Sequence, residues 1–295
     1  MKILITGATG FFGNHLYNKL QRDGHTVIGL SSQDNLMEPL NLPIERESVD
    51  KIYHLAVKVK GGKYNISHKG DTWLDNTLIN SNIIKWWSEY QPGALFCTMG
   101  TSCAYSGESE MSEDNYLVGD PDIDLYGYAI SKRDMLWGLK AINEQYGLQY
   151  QYFIPTTLCG TQFKEDDTHF HFDFIKKLCA GKYEGSRVTF WGDGLQRREL
   201  IDVDDAVNII SSHDELVNMP VNLSTGVEYP LRLYAKLICE IIDYDYNLIE
   251  WDENEWVGVR SKNLINTHFK DVDFTDIKET LTKATEFHVK RTYKL

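Results

Sequence analysis

Apolar and polar positions alternate along the first half of the chain in blocks of two lengths. Lys2–Thr6 and Thr26–Leu30 are short apolar runs, as strands of a parallel sheet covered on both faces would be. Between them, residues 14–23 carry an amphipathic helical pattern closed by Gly24. Residues 50–56, 94–99 and 149–154 read as further buried strands, and 71–89 and 133–146 as long helices. Strand and helix alternate, so the pattern predicts an α/β fold, a Rossmann-type doubly wound parallel sheet. Around Pro155-Thr-Thr-Leu-Cys-Gly160 the chain is expected to cross into a smaller C-terminal α+β domain.

Composition narrows the class. The 295 residues suffice for one large domain or two, and 42% hydrophobic with 25% charged residues is ordinary for a globular protein. A net charge of −13 argues against a nucleic-acid partner. An anionic ligand would have to be held by backbone amides and a few Arg or Lys. The five cysteines are scattered without a C-x-x-C pair, which predicts reduced thiols and a cytoplasmic location. The chain opens on a strand rather than a signal peptide, and no apolar run nears the ~20 residues of a membrane span. No cluster has metal-ligand spacing.

Chemistry enters with Gly7-Ala-Thr-Gly10-Phe-Phe-Gly13, directly after the first strand and at the head of the first helix. Strand, glycine turn, helix and strand make a dinucleotide-binding unit. Gly7 permits the turn, Gly10 lets amides approach a pyrophosphate, and Gly13 lets helix and strand pack closely. The helix N-terminus then offers N–H groups to the anion. A purely structural turn is the bland alternative, and the spacing is G-x-x-G-x-x-G rather than G-x-G-x-x-G. After the second strand comes Leu30-Ser31-Ser32-Gln33-Asp34, with no Arg and a late acid, so the choice between NADP and NAD stays open.

A second constellation is Asp124-Leu-Tyr-Gly-Tyr-Ala-Ile-Ser-Lys132. Tyr128 and Lys132 are one helical turn apart and share a face. An ordinary phenol has a pKa of about 10, and a nearby ammonium is expected to draw it toward the neutral range. By themselves a Tyr and a Lys at this spacing are common. Upstream, Gly100-Thr-Ser-Cys-Ala-Tyr105 follows the strand at 94–99, at the sheet end where such folds put their chemistry. Thr101 can bond a substrate oxygen while Tyr128 moves the proton, and a nicotinamide carries the hydride. Taken alone, Thr101 reads equally as a strand-end cap. The ordered set predicts an alcohol–ketone oxidoreductase.

Together these segments make the chain resemble the extended short-chain dehydrogenase/reductase family, the NAD-dependent epimerase/dehydratase proteins. The resemblance covers most of the chain and is strongest to the branch of epimerase-reductases acting on GDP-4-keto-6-deoxy sugars. It rests on His54-Leu-Ala-Val-Lys-Val-Lys-Gly-Gly62, Asn80-Ser-Asn-Ile-Ile84, Gly100-Thr-Ser-Cys-Ala-Tyr105 and Tyr126-Gly-Tyr-Ala-Ile-Ser-Lys132. Phe190-Trp-Gly-Asp-Gly-Leu-Gln-Arg-Arg-Glu199, Val203-Asp-Asp205 and Val221-Asn-Leu-Ser-Thr-Gly226 complete it.

The resemblance implies a cofactor site of Gly7, Thr9, Gly10, Phe11, Phe12, Gly13, Ser31, Leu55, Ala56 and Lys132, with the loop at 57–62 along the cofactor. It implies Thr101, Tyr128 and Lys132 as catalytic residues. Cys103 and His169 fall on the family's epimerising pair, with His171 a rival and Cys103 equally readable as a small strand-end residue. It also implies that Ser102, Lys177, Arg187, Trp191 and Arg198 contact a GDP-linked sugar, Arg198 at its diphosphate. For the Arg197–Arg198 pair the plain alternative is a solvated surface charge. Asp204 and Asp205 read as helix caps rather than metal ligands. The expected division is a dinucleotide-binding domain at 1–158, rejoined by 192–222, and a substrate domain at 159–191 and 223–295. A homodimer is expected through the two long helices, which carry Trp86, Trp87 and Trp137.

The chain departs from the family at Thr157 and Cys159, where Pro-Thr-Asn-x-Tyr-Gly is usual, and at Lys177, where Arg is common. Thr9 and Ser31 stand where some members have arginines for a 2′-phosphate. Ser102-Cys103 stands where sugar-nucleotide dehydratases have Asp-Glu. Two alternatives remain: a C4 dehydrogenase or reductase without epimerase activity, on a GDP-sugar such as a GDP-heptose, and a non-catalytic nucleotide-binding sensor.

Overall fold

The first apolar block is strand β1 (Lys2–Thr6), with Ile3, Leu4 and Ile5 fully shielded in the computed structural model, which describes residues 1–38, 48–58, 62–255 and 259–295. Each such side chain contributes roughly 1.5–3 kcal/mol by leaving water. There follow α1 (Phe11–Arg22), β2 (Thr26–Leu30), β3 (Lys51–His54), α2 (Gly62–Ser67), α3 (Lys69–Tyr90), β4 (Leu95–Met99), α4 (Tyr126–Tyr146) and β5 (Tyr150–Pro155). Next come β6 (Thr157–Cys159), α5 (Phe170–Glu184), β7 (Val188–Trp191), β8 (Arg197–Arg198), β9 (Leu200–Asp202), α6 (Val203–Ser212) and β10 (Pro220–Leu223). The chain ends with β11 (Tyr229–Pro230), α7 (Leu231–Ile242), β12 (Ile249–Asp252) and α8 (Ile277–Tyr293).

Two compact units result. One holds Met1–Pro155 and Val207–Leu223, the other Thr156–Ala206 and Ser224–Leu295. The first unit therefore closes at Pro155 and is rejoined at Val207, where the sequence reading put 158 and 192. It is built on six parallel strands in the order β10-β5-β4-β3-β1-β2, a Rossmann-like sheet. Strand order reverses between β1 and β3, whose carboxyl ends, Thr6 beside His54, flank the crevice where such sheets bind ligands. Helix α1 buries Phe12, Gly13, Leu16 and Leu20. Gly13 has to be glycine, because a Cβ there would lie 2.1 Å from the Gly7 carbonyl oxygen.

Helix α4 begins at Tyr126 rather than at 133, so Tyr128 and Lys132 lie inside it. Gly127 explains both the earlier start and why it was hidden. Glycine costs about 1 kcal/mol in a helix interior, yet a Cβ here would sit 2.1 Å from the Lys69 carbonyl oxygen of α3. Trp86 and Trp87 are 2% and 0% exposed and belong to the core, not to an outer helix face.

The second unit pairs β6 with β9 and β7 with β12 in parallel, and β8 with β11 antiparallel. The cap of α6 falls on Asp202, whose Oδ1 accepts the Asp204 N–H at 2.9 Å, rather than on Asp204 or Asp205. Asp205 instead accepts from the Thr275 N–H and hydroxyl at 2.7 and 3.0 Å. Among the described residues no helix is long and apolar enough to cross a membrane. Nor do three or more His, Cys, Asp or Glu gather there as a metal-binding group. The five cysteines are unbridged, and all but Cys103 are buried.

Candidate active site

The glycine turn is held open toward the helix end by backbone packing. Gly7 has φ +72°, a conformation few side chains tolerate, and a Cβ on it would meet the Ala56 backbone nitrogen at 2.8 Å. The Gly10 N–H donates to the Gly7 carbonyl at 2.9 Å, and α1 starts at Phe11 without a side-chain cap. First-turn N–H groups of a helix have no intrahelical acceptor, which together with the dipole suits an anion. Thr9 is exposed, Gly10 and Phe11 partly so, and Phe12 is buried. Leu55 and Ala56 donate their N–H groups to Thr6 Oγ1 at 3.2 and 3.1 Å, which fastens them to the turn. Beyond β2, the Ser31 N–H donates to Asp34 Oδ2 at 2.8 Å, so the late acid folds back on its own loop. Of the loop expected along the cofactor, 59–61 lie outside the described residues.

Strand β4 delivers Gly100 and Thr101. Thr101 Oγ1 accepts the Cys103 N–H at 3.3 Å and caps the short 3-10 turn Ser102–Ala104. Its hydroxyl also lies close enough to the Tyr128 phenol to lower the phenol's pKa. Lys132 Nζ lies 6.0 Å from the centroid of the Tyr128 ring, and Lys132 is 4% exposed. Thr101, Cys103, Tyr128 and Lys132 thus share one corner of the first unit, with Ser102 in the turn between the first two.

The electrostatics of this corner differ from the sequence expectation. Burial pushes the Tyr128 phenol above its ordinary value, Cys103 and Tyr116 add to the rise, and the nearby Thr101 hydroxyl only partly offsets it. Burial likewise lowers Lys132 to about 8. In the protein alone, the lysine does not draw the phenol into the neutral range. Desolvation presses both groups toward their uncharged forms.

Behind them runs a buried polar chain. The Thr6 hydroxyl meets His54 Nδ1 at 2.8 Å, His54 Nε2 meets Asn80 Oδ1 at 3.0 Å, and Asn80 Nδ2 donates to the Ser131 carbonyl at 3.2 Å. Since Asn80 presents its oxygen, Nε2 carries the proton and Nδ1 accepts from Thr6. Burial lowers His54 to about 3, against the Asn80 bond, so the ring stays neutral. His54 and Asn80 stood in quoted motifs with no role; a polar residue inside an otherwise apolar block was their only signal. Arg133 was missed as well. Its guanidinium donates to the carbonyls of Ala104, Val118 and Gly119, strapping the Cys103 turn to α4.

The second unit holds the remaining candidates. His169 precedes α5, and its N–H and Nδ1 both bond Asp167 Oδ1, at 3.0 and 2.6 Å. Neighbouring atoms desolvate the ring and would lower its pKa, but Asp167 outweighs them and raises it. The side chain is 66% exposed. His171 is wholly buried, and neither ring nitrogen has a hydrogen-bond partner in the structure. Lys177 pairs with Asp173 at 2.9 Å, and Arg187 Nε donates to Glu250 at 2.8 Å. Trp191 is 40% exposed. Arg198 is set in β8 against Tyr229, with its carbonyl accepting from Tyr234 Oη at 2.7 Å. The next residue, Glu199, is fully buried, and its carboxylate accepts from Ser224, Thr225, Gly226 and Leu264. Glu199 closed a quoted motif but was given no role.

A family model described as "NAD dependent epimerase/dehydratase family" matches residues 3–215. The chain is 28% identical over 302 residues to a GDP-L-colitose synthase of Yersinia pseudotuberculosis, covering 97% of each chain. It is 28% identical over 279 residues to a GDP-L-fucose synthase of Azorhizobium caulinodans, covering 90% of this chain and 88% of the relative. A crystal structure of a GDP-L-fucose synthetase from Naegleria fowleri superposes with a TM-score of 0.87 at 21% identity, covering 99% of this chain and 94% of that one.

Proposed function

Because the chain belongs to the NAD dependent epimerase/dehydratase family, we propose that it is an NAD(P)-dependent oxidoreductase of the GDP-L-fucose synthase type. It reduces the C4 ketone of a GDP-linked 4-keto sugar after epimerisation at C3 and C5. The reading is carried by the corner where Thr101 adjoins Tyr128 and buried Lys132 sets its Nζ 6.0 Å from the centroid of the Tyr128 ring. The names of the curated relatives, which match nearly the whole chain, support the substrate class.

The first unit is the dinucleotide-binding domain. The tight glycine turn fits a pyrophosphate, since Gly7 and Gly13 have no room for a side chain and α1 begins uncapped. Gly7, Thr9, Gly10, Phe11, Phe12, Gly13, Ser31, Leu55, Ala56 and Lys132 would hold NADP or NAD. Bound there, the nicotinamide supplies the hydride for the ketone carbon. Tyr128 gives its proton to the ketone oxygen, and Thr101 donates a hydrogen bond to that same oxygen. Charged Lys132 stabilises the phenolate left behind. A phenol held above its ordinary pKa stays protonated at neutral pH, which suits donation to a developing alkoxide and hence reduction.

For epimerisation, a C–H beside a ketone is acidified by enolisation. Cys103, not buried like the other thiols, takes that proton, and His169, whose pKa Asp167 raises, returns one. Full burial removes His171 from this role. The second unit is the substrate domain: Arg198 clamps the diphosphate with Lys177 or Arg187 assisting, Trp191 meets the nucleoside, and Ser102 of the first unit meets the sugar. Unbridged thiols support a cytoplasmic setting. Trp73, Leu74 and Leu78 on α3 and Trp137 on α4 are 40–58% exposed, and a second copy covers them in a homodimer.

Turnover in deuterated water tests the reading. The product should carry deuterium at C3 or C5, and Cys103→Ser should abolish that label. Hydride transfer without label would make the protein a C4 reductase alone. Coenzyme binding without hydride transfer to any GDP-4-keto sugar would make it a sensor.

A further inference from the structure

Thr101 and Lys132 come from a strand end and a helix far apart in sequence, and a reaction needing both tolerates little change in their spacing. The β4–β5 ladder runs from Phe96 beside Tyr150 to Met99 beside Phe153, and the Gly100 N–H still reaches the Phe153 carbonyl at 2.7 Å. Thr101 is the first residue past that ladder. Its N–H donates to Tyr116 Oη at 3.2 Å. Tyr116 Oη and Tyr152 Oη are 3.0 Å apart, and Tyr152 Oη donates to the Lys132 carbonyl at 2.8 Å.

The direction of this chain is fixed. Tyr152 has one hydroxyl proton and commits it to Lys132, so the shared bond runs from Tyr116 to Tyr152. Each phenol accepts once and donates once, and both are 0% exposed. Burial pushes Tyr116 up to about 12 and Tyr152 well above its ordinary value, so both keep their protons. Both ends of the chain are backbone groups, so it delivers no proton to a substrate; it fixes a distance. Gly100 makes the room, since a Cβ there would lie 2.6 Å from both the Tyr116 hydroxyl and the Tyr152 ring. The rings meet edge-on at 5.7 Å between centroids. Bonds in such a buried series polarise one another, so losing one weakens the rest.

We infer that Tyr116 and Tyr152 are positioning residues that couple the strand end carrying Thr101 to the helix carrying Tyr128 and Lys132. The inference rests on the oxidoreductase reading of that corner.

Tyr116→Phe, Tyr152→Phe and the double variant keep the rings and remove the hydroxyls. Each single variant should lose kcat by about tenfold with KM for the nucleotide sugar nearly unchanged. The double should be no slower than the worse single, since both break one chain. Full kcat in a folded single variant, or losses that multiply in the double, would overturn the coupling. Amide hydrogen exchange reads it without any substrate. Tyr152→Phe removes a hydroxyl that does not touch Thr101, yet Thr101 exchange should quicken relative to the amides of Ile3, Leu4 and Ile5. An unchanged ratio would also overturn the coupling. A wild-type protein that turns over no GDP-4-keto sugar contradicts the oxidoreductase reading and with it a catalytic role for the pair, while the exchange ratio still decides whether the two phenols couple strand to helix.

Discussion

Lys132 and Arg187 are both cations the proposed chemistry uses, and the protein treats them in opposite ways. Lys132 is 4% exposed, and burial brings it down to about 8. The Arg187 side chain is 76% exposed, and the Glu250 carboxylate beside it raises its pKa. The same contrast separates Tyr128, displaced by burial, from His169, held up by Asp167 on an exposed ring. Desolvation in a packed corner is hardly screened by salt, whereas an exposed pair is screened and adds little stability. Where the proposed chemistry would move a proton, the fold buries the groups and locks their surroundings with buried hydrogen bonds. Where the proposed substrate would be held, exposed cations sit on carboxylates that a phosphate could displace.

The contrast can be broken at several points. Tyr128→Phe keeps the ring and removes the proton donor, so kcat should fall about 10²- to 10⁴-fold with coenzyme affinity unchanged; steady-state rates near wild type would remove Tyr128 from the reaction. Lys132 is charged below its pKa and neutral above it, so wild-type kcat should decline as pH rises through about 8. Lys132→Met should be about 10²-fold slower and lack that decline. A profile that still bends near pH 8 in the variant would assign the titration elsewhere.

Gly100→Ala drives a methyl into Tyr116 and Tyr152 and should lower stability by about 1–3 kcal/mol, visible as a fall in Tm. An unchanged Tm would mean that the corner yields more easily than its packing suggests. On the exposed side, Asp167→Asn should drop the His169 titration midpoint, read by NMR, because the carboxylate favouring the imidazolium is gone. Arg187→Ala should leave Tm where it is and weaken nucleotide-sugar binding only a few-fold, chiefly at low salt. A large loss of stability there would contradict the division drawn between the two regions.

How much of this was legible depended on how local each signal was. Lys2–Thr6 and Thr26–Leu30 became β1 and β2 with the bounds their apolar runs suggested: β1, buried on both faces, reads directly from sequence, and the edge strand β2 keeps an apolar run although only Leu30 in it is buried. The glycine turn was legible for a similar reason: its glycines are demanded by neighbours within one strand–helix unit, apart from the Ala56 contact. The start of α4 was not, since Gly127 looks like a breaker until Lys69 is seen against it. Tyr116 lies in the polar stretch between β4 and α4 and has no periodicity to betray its burial. The sign of the Tyr128 shift was missed because spacing reveals the lysine neighbour but not the loss of water around the phenol. His169 and His171, two residues apart, were separable only once one proved exposed and the other wholly enclosed.

The central claim is that the Thr101–Tyr128–Lys132 corner protonates a sugar ketone as hydride arrives at C4. The most direct measurement gives the protein a GDP-4-keto-6-deoxy sugar with coenzyme deuterated at the transferable position of the nicotinamide. NMR of the product should show deuterium at C4 for the wild type, formed at least a hundredfold more slowly by Tyr128→Phe. No label at C4, or equal labelling rates for the two proteins, would contradict the account.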